Sequence, residues 1–287
     1  GSGSAFTLAE ENFQSNILIS TEVPVEEVHP SSIAGPLVYE AKKETKHLLY
    51  DAGSTLAEAL NAQDMVPQDL DSIYISHLHD DHAGGIEYVA FKTYFEVFKF
   101  NKTEFGSMRP KLLGHHSILT EGWDHCWSAG LQSLQGQTNS LENYFDCTYL
   151  KDNDAFDFYG TAVQPVQTVH VVDNRRFVPS YGLMIQGENK KAFISGDSQF
   201  APNQMLTYFD QADVIFHDCE LLFTEEEGYP NSVHAQYWQL NKLPLEIKEK
   251  MYLYHYSLNG RDYEECKEIC INDGFKGLVS RGEEFII

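Results

Sequence analysis

Three histidines and two aspartates fall within six positions of the stretch Ile73-Tyr74-Ile75-Ser76-His77-Leu78-His79-Asp80-Asp81-His82-Ala83-Gly84-Gly85. Histidines two apart on extended backbone point the same way, because strand side chains alternate with period 2. His77 and His79 can therefore clasp one ion, while Asp81 and His82, just past a bend, can serve a second ion beside it. Imidazole with carboxylate suits zinc, with Mn²⁺ or Fe²⁺ as alternatives. The apolar run 73–75 reads as a strand that delivers these groups, and Gly84-Gly85 lets the chain break away.

Residues so placed need elements behind them, and the composition supplies the means. The chain has 287 residues, 42% hydrophobic and 13% aromatic, enough for a substantial core. No linker, internal repeat or low-complexity segment interrupts it. A single domain over residues 5–287 is expected, with Gly1-Ser2-Gly3-Ser4 read as an expression scar. Net charge is −23, from 43 Asp+Glu against 20 Lys+Arg. Such a surface repels a nucleic-acid backbone, whose binding depends on Lys and Arg. A small anionic substrate stays open, because bound dications supply local positive charge. The five cysteines (Cys126, Cys147, Cys219, Cys266, Cys270) are odd in number and never in CxxC, which points to a reducing compartment. Cys266 and Cys270 read as buried small hydrophobes. With neither a signal peptide nor an apolar run of ~18 residues, the expectation is a soluble cytoplasmic protein without membrane contact.

Periodicity gives strands at 17–19, 37–40 and 47–50, with a charged hairpin turn at 42–46. Asp51-Ala52-Gly53-Ser54 follows, where Asp51 reads by itself as an ordinary turn-forming residue. Residues 55–63 have helical spacing. Residues 86–100 suggest a helix and then an extended piece, and 111–113 a short strand. A helix capped by Thr120 should come next. His115, His116 and His125 read as pocket-lining or structural. Further on, strand-like runs end in His170, in Ser195-Gly196-Asp197, in Asp218-Cys219-Glu220 and in His255. His234 stands at an expected helix start, within Asn231-Ser232-Val233-His234-Ala235-Gln236-Tyr237, and a helix and closing strand end the chain.

The segment His77-Leu78-His79-Asp80-Asp81-His82 resembles the signature of the metallo-β-lactamase fold, an α/β four-layer αββα sandwich. The order of HxHxDH, His170, Asp197, His234 and His255 resembles the ribonuclease Z branch of that superfamily. The resemblance implies that His77, His79 and His170 hold one metal. It implies that Asp81, His82 and His255 hold a second, with Asp197 shared. Asp81 and His234 are the catalytic candidates, His234 as the acid that protonates the leaving group. Asp51, Asp218 and Glu220 are implied as supports, and Tyr181 and Tyr256, with Tyr237 and Tyr254, as aromatics near the pocket. Two divalent cations follow, zinc first and manganese as the alternative.

Ribonuclease Z proper grips tRNA with a basic, Gly-rich arm, which this sequence lacks. Among the branch it resembles most the compact anti-Pycsar phosphodiesterases that open 3′,5′-cyclic nucleotides, including cyclic CMP and UMP, and so counter antiphage signalling. That resemblance implies a small cyclic nucleotide as substrate, a homodimer, and action in the host cytoplasm if phage-encoded. tRNA 3′-processing is the alternative, followed by a nucleotide-sequestering module and by lactonase or thioesterase activity.

Overall fold

Short apolar runs closed by turn residues become the strands of two sheets. A computed structural model of the chain describes residues 3–5, 7, 12–29, 38–100 and 109–287. The first sheet takes β1 (Ile17–His29), β2 (Val38–Tyr50), β3 (Ser72–Ile75), β4 (Lys111–His115) and, after a two-stranded ribbon of β5 (Ser133–Leu134) and β6 (Gln137–Thr138), β7 (Asp146–Leu150), in the order β1-β2-β3-β4-β7. The second takes β8 (Phe156–Phe158), β9 (Thr161–Val172), β10 (Phe177–Gln186), β11 (Lys191–Ile194), β12 (Val214–Asp218), β13 (Met251–Tyr254) and β14 (Gly277–Leu278), in the order β14-β13-β12-β11-β10-β9-β8. Connecting them are α1 (Leu56–Asn61), α2 (Asp80–Ala83), α3 (Ile86–Phe100), α4 (His116–Gly122), α5 (Ser128–Leu131), α6 (Pro202–Gln211), α7 (Tyr237–Leu240), α8 (Leu245–Lys248) and α9 (Tyr263–Asn272).

Alternation along the second sheet divides the core. Leu183, Ile185, Ile194 and Tyr254 face the first sheet, whereas Met184, Phe193 and Leu253 face the other way, toward Met205, Phe209, Cys266 and Cys270 of α6 and α9. A sheet covered on both faces reads as continuous apolar sequence, which is what β11, β12 and β13 are. The two sheets meet where Tyr74 of β3 stacks on Phe156 of β8, 6.0 Å between centroids, and where the Tyr50 hydroxyl donates to the Tyr181 carbonyl. The runs β2-β3-β4-β7 and β11-β12-β13-β14 are each parallel. Parallel strands deliver their C-terminal ends to one edge, and that edge is where an open α/β sheet presents its chemistry.

Several local expectations are corrected. Residues 42–46 are not a turn but lie within β2, where Lys43 pairs with Glu22 across the ladder at 2.6 Å. β1 and β2 form one long hairpin from Ile17↔Tyr50 to His29↔Val38, and Leu37 lies outside the described residues. Helix α3 runs to Phe100 without an extended piece. Thr120 lies inside α4, which His115 caps by accepting from the Ser117 N–H. Apart from these corrections, Gly3 N–H donates to the Phe13 carbonyl and Ser4 N–H to that of Tyr256. Among the described residues, no helix is long and apolar enough to cross a membrane.

Candidate metal centre

Each predicted ligand is delivered by the end of a strand. The β3 run stops at Ile75, and a short irregular stretch leads to α2, whose N-cap His79 has extended dihedrals. His170 is near the end of β9, Asp197 follows β11 through Gly196 (φ 61°), and His255 follows β13 with a left-handed φ of 60°. A positive φ on a residue with a Cβ is strained and persists where surrounding structure fixes it.

The seven residues converge into two groups that share one carboxylate. Ring nitrogens His77 Nε2 and His170 Nε2 lie 3.0 and 3.1 Å from His79 Nδ1. Asp197 Oδ2 approaches this trio at 3.7 Å from His77 Nε2 and 3.6 Å from His170 Nε2. Its other oxygen, Oδ1, lies 3.1 Å from His82 Nε2 and 3.3 Å from His255 Nε2. Asp81 Oδ2 completes the second group at 3.4 and 3.6 Å from the same two nitrogens. Thus His77, His79, His170 and Asp197 form one donor cluster, and Asp81, His82, Asp197 and His255 the other.

This donor set fits divalent cations. His82 Nε2, His255 Nε2 and Asp197 Oδ1 are buried and have no hydrogen-bond partner among the described residues. Buried polar atoms are ordinarily bonded, so converging orphans mark a ligand set. On three of the histidines the opposite ring nitrogen is engaged, whereas His255 Nδ1 has no partner among the described residues. His170 Nδ1 donates to the Val233 carbonyl at 2.8 Å and His82 Nδ1 to Asp51 Oδ2 at 2.7 Å. His77 Nδ1 lies 3.0 Å from Ser76 Oγ, which donates to Asp51 Oδ2. A proton fixed on Nδ1 leaves the Nε2 lone pair aimed at the centre. Burial holds His77, His79 and His170 below the ordinary imidazole pKa, so these rings are neutral at pH 7. For His82, burial pulls downward, but Asp197 and Asp51 outweigh it and raise the pKa. For Asp197, burial pulls upward, yet His255 and His82 hold the carboxyl well below its usual range.

Asp51 is more than a turn residue. It is fully buried with φ 65°, and accepts from the Ser76 N–H and hydroxyl as well as from His82. Backbone bonds then zip 51–54 to the histidine loop: Ala52 N–H to the His82 carbonyl, Ser54 N–H to Asp80, and Gly85 N–H to Ala52. A Cβ on Gly53 would sit 2.2 Å from the Asp81 carbonyl oxygen, so only glycine fits there.

His234 sits in the loop ahead of α7 rather than on a helix. Its Nδ1 meets Asp218 Oδ2 at 2.7 Å, and its ring lies 5.2 Å from those of His170 and His255. Burial alone would lower its pKa, but the Asp218 carboxylate raises it to about 10. Glu220 stands apart from the ligands; it accepts from the hydroxyls of Tyr229 and Ser232 and so ties down the loop that carries His234.

The tyrosines named for the pocket are corrected. Tyr181, Tyr237, Tyr254 and Tyr256 are all at most 5% exposed and belong to the core, so none offers a face to an incoming ring. His115 stacks on Tyr181 and meets Asp152, a structural role. Sequence reasoning missed Ser76, the link between Asp51 and His77, although it immediately precedes the first histidine. It also missed Thr168 and Ser180, whose hydroxyls donate to the Asp197 carbonyl.

Comparison with known proteins follows the same lines. The family described as "Anti-Pycsar protein Apyc1" matches residues 38–285. Anti-Pycsar protein Apyc1 of Paenibacillus harenae is 33% identical over 211 residues, covering 73% of this chain and 78% of that protein. The protein of the same name from Bacillus phage BSP38 is 28% identical over 231 residues, covering 76% and 80%. Among solved structures, the metallo-β-lactamase fold protein YhfI from Bacillus subtilis superposes with a TM-score of 0.65 at 15% identity, over 99% of this chain and 95% of that one. The short form of human tRNase Z gives 0.57 at 15% identity, over 90% and 91%. These likenesses establish the metallo-β-lactamase fold.

Proposed function

Because this chain belongs to the anti-Pycsar Apyc1 family, we propose that it is a metal-dependent hydrolase that opens 3′,5′-cyclic nucleotides, cyclic CMP and UMP among them, to linear monophosphates. The observation that carries this reading is the division of Asp197, with Oδ2 turned to the His77, His79 and His170 trio and Oδ1 to His82 and His255. A carboxylate used on both oxygens is how a dinuclear site is bridged. His77, His79, His170 and Asp197 would hold one cation, and Asp81, His82, Asp197 and His255 the other. Imidazole and carboxylate donors without thiolate favour zinc, with manganese as the alternative. When bound, the cations supply Lewis acidity, which makes water a nucleophile near neutral pH and offsets phosphodiester charge.

The chain's own groups do the rest. Burial of every donor but His79, which faces solvent, limits competition from bulk water, and the Asp51–Ser76 pair fixes the two rings it touches. His234 keeps Nδ1 against Asp218, which leaves Nε2 to carry a proton toward the departing ribose oxygen. Hydrolysis of the P–O3′ bond then gives a 5′-monophosphate and a free 3′-hydroxyl, the proton from His234 ending on that oxygen.

The excess of 43 acidic over 20 basic residues supports a small substrate over a long nucleic acid. Five unpaired cysteines support a cytoplasmic setting. We take the active species to be a homodimer, which light scattering of the purified protein tests. For the activity, cyclic nucleotides are incubated with the metal-loaded protein and the products separated by chromatography. Linear monophosphates should appear with many turnovers, and both chelation and His79→Ala should abolish them. Survival of every cyclic nucleotide while a tRNA precursor is trimmed would instead establish the processing endonuclease.

A further inference from the structure

With the four tyrosines buried, the centre needs another surface for the base of its substrate, and the hairpin tip between β9 and β10 provides one. Val172 and Phe177 are directly paired across the two strands, so their side chains share a face. Val172 lies two residues beyond His170, hence on the face that carries the ligand and about 7 Å farther along the strand. Both are strongly exposed, Phe177 at 61% and Val172 at 52%. Single exposed apolar residues are ordinary on a protein surface; an adjacent pair beside a catalytic centre marks a contact surface.

The tip is held in place. The Asp173 carboxylate accepts from the Arg175 and Arg176 N–H groups at 2.6 and 2.8 Å, which orders the turn. Arg176 then grips Glu121 of α4 with both ends of its guanidinium, at 2.6 and 3.1 Å. The next residue in α4, Gly122, lies so near Leu78, the side chain between ligands His77 and His79, that an added Cβ would come 3.0 Å from its Cδ2. The same tip is thus fixed to the centre from two directions, through β9 to His170 and through α4 to the histidine loop.

We propose that Phe177, backed by Val172, is the platform on which the base of the substrate stacks while its phosphate lies at the metal centre. This rests on the cyclic-nucleotide reading above. Stacking is sequence-tolerant because every base has a π-face, so the platform would accept pyrimidine and purine alike and fix orientation rather than identity.

The test compares wild type with Phe177→Ala and Phe177→Trp on cyclic UMP, cyclic AMP and the base-free ribose 3′,5′-cyclic phosphate. Phe177→Ala should raise KM for both nucleotides about tenfold, with kcat within about twofold, and leave kcat/KM for the base-free diester unchanged. Phe177→Trp should keep the wild-type KM, and its indole fluorescence should be quenched when UMP is added to chelator-treated protein. An unchanged KM in Phe177→Ala, or an equal loss on the base-free diester, overturns the platform while wild-type turnover leaves the functional reading standing. Failure of wild type to open any cyclic nucleotide brings down both.

Discussion

Ser76 and Asp51 show how much rests on single side chains outside the ligand set. Ser76 Oγ donates to Asp51 and meets His77, while Asp51 also holds His82, so one buried carboxylate orients a ligand of each donor cluster. Loss of such an outer partner typically weakens metal binding 10- to 100-fold. Ser76→Ala should therefore bind metal roughly tenfold or more weakly by chelator competition, and Ser76→Thr should restore much of it. His234 yields a second prediction, from its sign. Burial alone would lower its pKa, but the contact with Asp218 sets it at about 10 against an ordinary 6.5. A folded pKa above the unfolded one stabilises the fold fully below pH 6.5 and ceases to do so as pH rises through about 10. Chelator-treated wild type should thus lose stability relative to His234→Gln across that window, seen as converging urea midpoints. Parallel midpoints from pH 6 to 10 would mean that the His234–Asp218 pair is not formed.

At the scale of elements, the strands are positioning devices and the turns after them carry the chemistry. The Asp51-Ala52-Gly53 turn and the histidine loop interlock through backbone bonds, and Gly53 lets them approach within reach. A methyl group at 53 must push the Asp81 carbonyl away. Gly53→Ala should cost about 1–3 kcal/mol in denaturant unfolding, and should weaken metal binding, since Asp81 moves with its backbone. Alanine introduced at the open turn residue Gly136, where a Cβ meets nothing within 4 Å, should spare metal binding. The core strands β3, β4, β11 and β13 were legible because each is a short, largely apolar run. Errors fell where charge patterns mislead. Lys42 to Lys46 looks like a turn, yet an exposed two-stranded ribbon tolerates it because cross-strand and neighbouring acids pair with Lys43 and Lys46.

Over the whole molecule, two sheets converge to place buried donor groups from distant stretches at one edge, and that arrangement is costly without a cation to satisfy it. Metal should therefore stabilise the fold as well as activate it. At a free metal concentration near a thousand times Kd, linkage gives about 4 kcal/mol, which for a chain of this size raises Tm by roughly 10 °C. Thermal scans with and without chelator check this; coincident curves would show that the donor clusters do not bind. The same large negative charge that disfavours polyanions bears on partners. An excess of heparin or RNA should leave hydrolysis of cyclic nucleotides unaffected at physiological salt.

By itself the sequence determined the chemistry on offer: HxHxDH after an apolar strand is a local pattern, and local spacing fixes which side chains can share an ion. The position of strands and the compensating Gly84-Gly85 break are equally local. Convergence is not. That His170, Asp197 and His255 meet the His77 loop follows from strand order and parallel register, which bring residues up to 174 positions apart (Asp81 and His255) to within 3.3–3.7 Å of their partners. Burial likewise belongs to the tertiary structure. Tyr181 and Phe177 are both aromatic residues of β10, and only packing against the opposing sheet decides that the first is core and the second faces solvent.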